Sequence, residues 1–470
     1  MEEQNNVPSR PVNQRRRRPS PMQIFKEKYL PWVILAVAAV LIVVIIAGSI
    51  TRAVQRKQMV KEASIAAEEE EARIHREYQD ILIQTELLAE TYNYPEAIAL
   101  IDSFSGNIAE FPELAEKRDA YEAAESQMVS WSDPGIIPNL SFQMLINDHV
   151  RAFGNEQYGD SIRRNYMTTT EFSNILEQLY NNGYVLVNPE QFTDTVTDEN
   201  GNLIHVAKDL RLPMGKSPVV ITQTNVNYDL YLTDGNDDGY ADKEGSGYAS
   251  RLVLDADGSV VCEYVDANGE TLTGNYDLIP ILDDFIAEHP DFSYMGAKAI
   301  IALSGHEGLF GYRTTEEHKQ FYGEAYHAQE VAGAKKVAQA LVDNGYELAY
   351  YTYSNSPYGN KSADYIREEL DMWNAEATPI VGQLDTIVFA QKSDITEGLI
   401  YMGDKHNVLQ EAGFVYYIGF CTDGSPWAIV VDDYVRQGRI LVGGSALSGN
   451  QSWFASMFDA DSVLDKAARG

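Results

Sequence analysis

From residue 139 to 445, short β-branched or aromatic runs alternate with amphipathic helical segments. The runs fall at 139–146, 183–189, 219–225, 297–303, 347–353, 385–390, 414–420 and 439–445, and each predicts a strand. Helices are predicted over 168–183, 277–289, about 316–344, 362–376 and 405–413. In the first of these, Thr168 to Thr170 supply a cap, Phe172, Leu176, Leu179 and Tyr180 one apolar face, and Gly183 the stop. Strands separated by helices pair in parallel through crossovers, which predicts an α/β sheet or barrel with ligands at the carboxyl ends of the strands. Two runs end abruptly in polar residues, SPVVITQTNVNYD (217–229) and ELAYYTYSNSP (347–357), as strands that feed a pocket do.

Ahead of this region, residues 29–50 (YLPWVILAVAAVLIVVIIAGSI) carry no charge, a length that crosses about 30 Å of hydrocarbon as a helix. Tyr29 and Trp32 sit where an interfacial aromatic belt is expected. Residues 1–28 read as a disordered basic tail, with Arg10, Arg15 to Arg18, Lys26 and Lys28 against Glu2, Glu3 and Glu27. Basic residues also follow the span (Arg52, Arg56, Lys57, Lys61), so the bias is modest; it places the amino terminus in the cytoplasm and the main domain outside a cell membrane. Residues 51–131 are helical in pattern and read as a stalk, broken at Asn93 and restarted at Pro95. One TYNYPEAIALIDSF segment resembles half a tetratricopeptide repeat, too little for a stacked array. SDPGIIP (132–138) marks the boundary of a domain spanning 132–470, into which 231–274 inserts β-hairpins with Asp-Gly and Asn-Gly turns.

With 470 residues the chain exceeds what one core usually fills, and its charge of −34 argues against a nucleic-acid partner. Cys262 and Cys421 allow one bridge, two separate buried thiols being the simpler expectation; no cysteine metal cluster can be built.

The order of elements, with TTEFSNILEQLYNNGYVLVNPEQF, PILDDFIAEHPDF and NGYEL in sequence, resembles the polysaccharide deacetylases of carbohydrate esterase family 4, over roughly residues 138 to 466. The resemblance implies a distorted (β/α) barrel, a cell-wall or capsular glycan as partner, and removal of acetyl groups by a metal held by one aspartate and two histidines, with a second aspartate as base. The aspartate pair falls on Thr224 and Asn225, and the histidine pair on Tyr351 and Asn355. An amide and a phenol are poor ligands for Zn²⁺, so no metal cofactor is expected at that site. The third motif offers Gln391, Lys392 and Asp394, and the region of the last motif, ILVGGSAL, has no histidine. The expectation is a catalytically degenerate, glycan-binding member at the cell envelope, with Thr224, Asn225, Tyr351, Tyr353, Asn355 and His306 lining the pocket.

Two alternatives stand beside it. An active N-deacetylase could recruit His306, Asp394 or Asp432; a structural scaffold could work through the stalk. Tyr228, Tyr231 and Tyr350 cluster with Tyr351 and Tyr353 at the strand ends, but alternation must turn half of them into the wall. His306 is followed by Glu307 and Arg313; read singly it is an ordinary loop histidine, and Ser304 beside it lacks a nucleophile-elbow pattern. His318 and His327, nine apart on one predicted helix, do not share a face. In the insertion, Asp234, Asn236, Asp238 and Asp242 have the spacing of a calcium loop, with Glu244 one place early; an Asx- and glycine-rich turn is the simpler reading.

Overall fold

The computed structural model describes residues 20–396 and 398–469. Up to residue 19, the basic tail lies outside the described residues. The chain divides into two compact units, residues 1–80 and 81–470. The first is helical from Pro21 onward, through a π turn at Phe25–Tyr29 into the helix Leu30–Glu90, whose last turns belong to the second unit. This run contains a helix long and apolar enough to cross a membrane. Past the apolar stretch its surface is charged, with Arg73 bridging Glu70 and Glu77 at 2.7 and 2.9 Å.

The second unit is built on a closed barrel. Its seven strands are β1 (Asn139–Phe142), β2 (Ser217–Thr224), β3 (Ile300–Leu303), β4 (Glu347–Tyr350), β5 (Thr386–Val388), β6 (Tyr416–Phe420) and β7 (Tyr434–Leu441). Each pairs in parallel with the next, and β7 returns to β1. Around it run α1 (Thr169–Asn181), α2 (Leu278–Glu288), α3 (Glu324–Asp343), α4 (Ala363–Glu376) and α5 (Asp404–Glu411). Thr168 and Glu171 form a capping box at the head of α1. The strands alternate as a barrel wall requires. Phe142, Ile221, Ile301, Leu303, Ile387 and Phe389 face the helices in the main apolar cluster, where Phe142 meets Phe172 edge-on at 5.1 Å. Val220, Ile300, Val388 and Ile418 face the interior in a second apolar cluster, and polar groups share it. Asn139 Nδ2 donates to Gln437 Oε1 at 3.0 Å, Asn139 Oδ1 accepts from Thr222 Oγ1 at 2.8 Å, and Gln437 Nε2 donates to Ile137 O at 3.2 Å.

Several elements differ from the sequence expectation. The alanine-rich segment is two helices, Glu316–Tyr322 and α3, because Gly323 between them adopts φ 92°. The 231–274 insertion does form antiparallel strands, Ala249–Leu254, Val260–Val265 and Thr271–Gly274. Unforeseen are the hairpin Thr193–Thr197 with Leu203–Ala207, the pairing of Val129–Trp131 with Leu210–Leu212, and Ala428–Val431, which lies antiparallel on β7. The helices Tyr94–Asp102 and Pro112–Ser126 join the barrel unit, and Tyr92 packs in the apolar cluster that holds Val185, Phe192, Val220 and Ile300. Cys262 and Cys421 are free, buried thiols.

One buried carboxylate fixes where β2 ends. Asp277, the cap of α2, accepts from Leu145 N, Gln223 Nε2 and Leu278 N, each at 2.8 Å, and from the Tyr228 hydroxyl at 2.7 Å. Burial raises its pKa while these donors pull it back. At the opposite, amino-terminal end, Glu347 opens β4 and faces the interior. Burial first, then Glu190 and Asp385, push its carboxyl from 4.5 up to about 8, against a hydrogen bond from Asn188. The folded chain therefore keeps a proton that the unfolded chain gives up, so this group's contribution to stability is present below pH 4.5 and is lost as pH rises to about 8.

Two outcomes follow for the full chain in detergent. Glu347→Gln should raise the melting temperature by a few degrees at pH 9 and leave it little changed at pH 4.5, flattening the pH dependence between them. Asp277→Ala, which strands a buried hydroxyl and a buried amide, should cost on the order of 3–5 kcal/mol in urea denaturation, and Asp277→Asn distinctly less.

Candidate functional site

The carboxyl ends of β2, β3 and β4 are knotted together by side chains the sequence places there. After Thr224 the chain turns through left-handed backbone at Asn225 (φ 61°) and Tyr228 (φ 53°). The loop after β4 does the same at Thr352 (φ 56°) and Asn355 (φ 51°), and the loop after β5 at Gln391 and Lys392 (φ 50° and 58°). Asparagine tolerates this conformation; a β-branched threonine does not readily, and such strain concentrates at functional loops. Asn227 staples the loop after β2 to the loop after β3. Its amide nitrogen donates to Ser304 O and Gly308 O, and its oxygen accepts from Ser304 N at 3.0 Å. Gly305 N and His306 N in turn donate to Tyr353 O, at 2.9 and 3.1 Å. A Cβ on Gly305 would run into the Tyr353 ring, so the close approach of these loops needs glycine there.

Within this frame, Ser304 Oγ donates to Asn225 Oδ1 at 3.0 Å, and Asn225 Nδ2 donates to Asp229 Oδ2 at 2.6 Å. Asp229 is buried, and its other oxygen, Oδ1, has no partner. Burial, then the neighbouring Glu307 charge, pushes its pKa up to about 6, against the pull of Asn225, His306 and Arg313. Glu307 Oε2 accepts from Leu230 N at 2.6 Å. Arg313, buried, donates to Glu307 O and Tyr228 O, both at 2.9 Å, and burial lowers its pKa. One ligand-type atom each from Asp229, His306 and Glu307 lies within 4.8 Å of the other two.

The residues singled out from the sequence are divided by this arrangement. Asn225 and His306 come together through Ser304, whose Oγ is 3.5 Å from His306 Nδ1. Thr224 is buried and spends its hydroxyl on Phe142 O at 3.2 Å. Tyr351 faces inward, with the buried Arg439 guanidinium 5.9 Å from its ring centre. Tyr350 and Tyr353 face outward, to the Tyr358 hydroxyl at 2.6 Å and to Glu376. Asn355 receives Gln391 Nε2 on its carbonyl at 2.8 Å, and its Oδ1 is buried without a partner. Tyr228 lies behind the site on Asp277, and Tyr231 pairs with the Tyr166 hydroxyl at 3.3 Å. Asp394 is committed to Arg436 (2.8 Å) and the Tyr401 hydroxyl, and the Asp432 side chain is exposed on a turn. His318 and His327 are held by Thr315 Oγ1 at 2.6 Å and Thr314 O at 2.8 Å.

The metal that the family resemblance implies does not fit the residues at its place. Asn225 is fully engaged by Ser304 and Asp229, Tyr351 offers a neutral phenol, and Asn355 an amide. Arg439 adds a positive charge beside Tyr351; its guanidinium donates to Ile418 O (3.1 Å), Gly419 O (3.0 Å) and Phe389 O (2.7 Å), and burial lowers its pKa against the pull of Tyr351. The sequence reading missed Asp229, Asn227 and Arg439. Only Asp229 had a signal there, a carboxylate just past a strand end; the other two act through partners 20 or more positions away. In the insertion, Asp234 spends both carboxylate oxygens on amides of Asn236, Asp237, Asp238 and Gly239, and one Asp242 oxygen binds the amides of Gly235, Glu244 and Gly245. Asn236 Oδ1 and Asp238 Oδ1 cap Asp238 N and Tyr240 N, both at 3.0 Å.

No protein-family model matches the chain, and no curated protein matches it. Among solved structures, the chain is similar to the Streptococcus pyogenes deacetylase PplD, solved with acetate, at 12% identity and a TM-score of 0.34, over 70% of this chain and 99% of that one. A Bacillus anthracis protein classed as a polysaccharide deacetylase is similar at 8% identity and a TM-score of 0.32, over 70% of each chain. Likeness at that level leaves site and activity to be argued from the side chains alone.

Proposed function

We propose that this chain is a membrane-anchored glycan-binding protein of the cell envelope, in which a barrel similar to those of polysaccharide deacetylases binds polymer without cleaving it. In this reading the apolar helix crosses the membrane, the amino terminus is cytoplasmic and the barrel faces the wall or capsule. The observation that carries it is the substitution of the whole implied metal and base set by Thr224, Asn225, Tyr351 and Asn355, with Arg439 seated beside Tyr351. None of those four side chains is a carboxylate that could take a proton from water or an imidazole that could hold a Lewis-acid metal.

A cleft of about 270 Å³ at the carboxyl ends of β6 and β7 supports the binding role. It is lined by Arg164, Lys392, Phe420, Asn450 and Trp453, and Lys392 follows directly on Gln391, which holds the Asn355 loop. Aromatic faces pack on the apolar faces of sugar rings, and amide and cationic groups bond their hydroxyls and acyl oxygens.

Calorimetric titration of the full chain in detergent with N-acetylglucosamine oligomers tests this. Binding is expected, weakened roughly tenfold by Trp453→Ala, which corresponds to about 1.4 kcal/mol, with no acetate released in the same mixtures. Absence of binding would refute the glycan-binding role, and catalytic release of acetate would refute the loss of hydrolysis.

A further inference from the structure

The cluster beside the abandoned metal position has what that position lacks. We propose that Asp229, His306 and Glu307 form a binding site for a first-row divalent cation of the Zn²⁺ type, on loops that follow β2 and β3 in place of the β2 and β4 positions of the family frame. One imidazole and two carboxylates are a donor set such cations take, and three protein ligands leave a coordination position open.

Three features of the cluster point to a cation as occupant. Ligand atoms within 4.8 Å of one another need only side-chain adjustment to meet a shared centre at about 2 Å. Asp229 is 3% exposed, with Oδ2 fixed by Asn225 and Oδ1 left without a partner. A carboxylate oxygen in that state is costly in the interior, and a cation is the partner that removes the cost. The remaining ligands are oriented from outside. Leu230 N holds Glu307 Oε2, and Ser304 Oγ lies 3.5 Å from His306 Nδ1, leaving Nε2 as the free imidazole nitrogen.

The charge balance also favours a cation. Arg313 Nη1 lies 3.8 Å from Glu307 Oε2 and supplies one positive charge against two carboxylates. His318, the next histidine along, is kept neutral by burial, its pKa lowered to about 4, and adds no charge. Arg313 spends donors on Glu307 O and Tyr228 O, so it braces the loops that carry the ligands. His306 and Glu307 are half-buried, which gives a cation a way in.

The full chain, purified in detergent and stripped with a chelator, is titrated with Zn²⁺ alone, with calorimetry and melting temperature as readouts. About one equivalent should bind and raise the melting temperature, and His306→Ala and Glu307→Gln should each weaken binding roughly tenfold or more. Among the described residues the hydrogen bond of the His306 side chain is the long one to Ser304 Oγ, so its removal leaves the fold to be compared directly; Glu307→Gln, which keeps an acceptor for Leu230 N, is the second measure. No zinc-dependent change in the unsubstituted chain, or binding of equal strength in both variants, would overturn the proposal.

Discussion

A carboxylate with four donors around it, Asp277 at the head of α2, determines the geometry of everything at the mouth of this barrel. It takes one amide from the segment after β1, one side chain from β2 and one hydroxyl from the loop beyond β2. Three elements are thereby held at one point behind the pocket. Between Tyr228, anchored there, and Asn225, both in left-handed backbone, Asn227 reaches across to the loop after β3. The strain in the mouth is offset by hydrogen bonds behind it, which is the usual way a fold keeps unfavourable backbone in place.

The barrel's interior mixes apolar and polar side chains. Val220, Ile300, Ala302, Val388 and Ile418 pack there in one apolar cluster, and with them run an amide and hydroxyl chain through Asn139, Thr222 and Gln437, a raised-pKa glutamate at one end and a guanidinium toward the other. Hydrogen bonds make the amides and the guanidinium tolerable, and Glu347, beside Glu190 and Asp385, is tolerable as the protonated acid. Toward the mouth, the Arg439 guanidinium is held by three backbone carbonyls and by the Tyr351 side chain, which puts a positive charge at that end of the interior.

Much of this was legible in the sequence, for reasons that can be stated. The barrel strands and helices showed because their periodicity is local: TTTEFSNILEQLYNNG carries its own cap, face and stop. The break at Gly323 was hidden because a single glycine between Tyr322 and Glu324, with helix formers on both sides, looks helical until its backbone is seen. The hairpin Thr193–Thr197 with Leu203–Ala207 was missed because most of its residues are exposed, with no clean apolar alternation to announce it. At the site, the empty motif positions were visible as residue types, and His306 as a loop histidine near Glu307. Asp229 was not, since its importance rests on a left-handed turn at Asn225 and on loops about 80 residues downstream, neither of which leaves a mark on a one-dimensional pattern.

Arg439 also sets a limit on redesign at this mouth. A metal ion held by an aspartate at 225 and histidines at 351 and 355 would stand near a guanidinium that lies 5.9 Å from the Tyr351 ring centre, and would meet its repulsion. Removing Arg439 would take a donor from the carbonyls of Ile418, Gly419 and Phe389 and open a void in the wall. A metal centre built here therefore needs a new wall as well as new ligands.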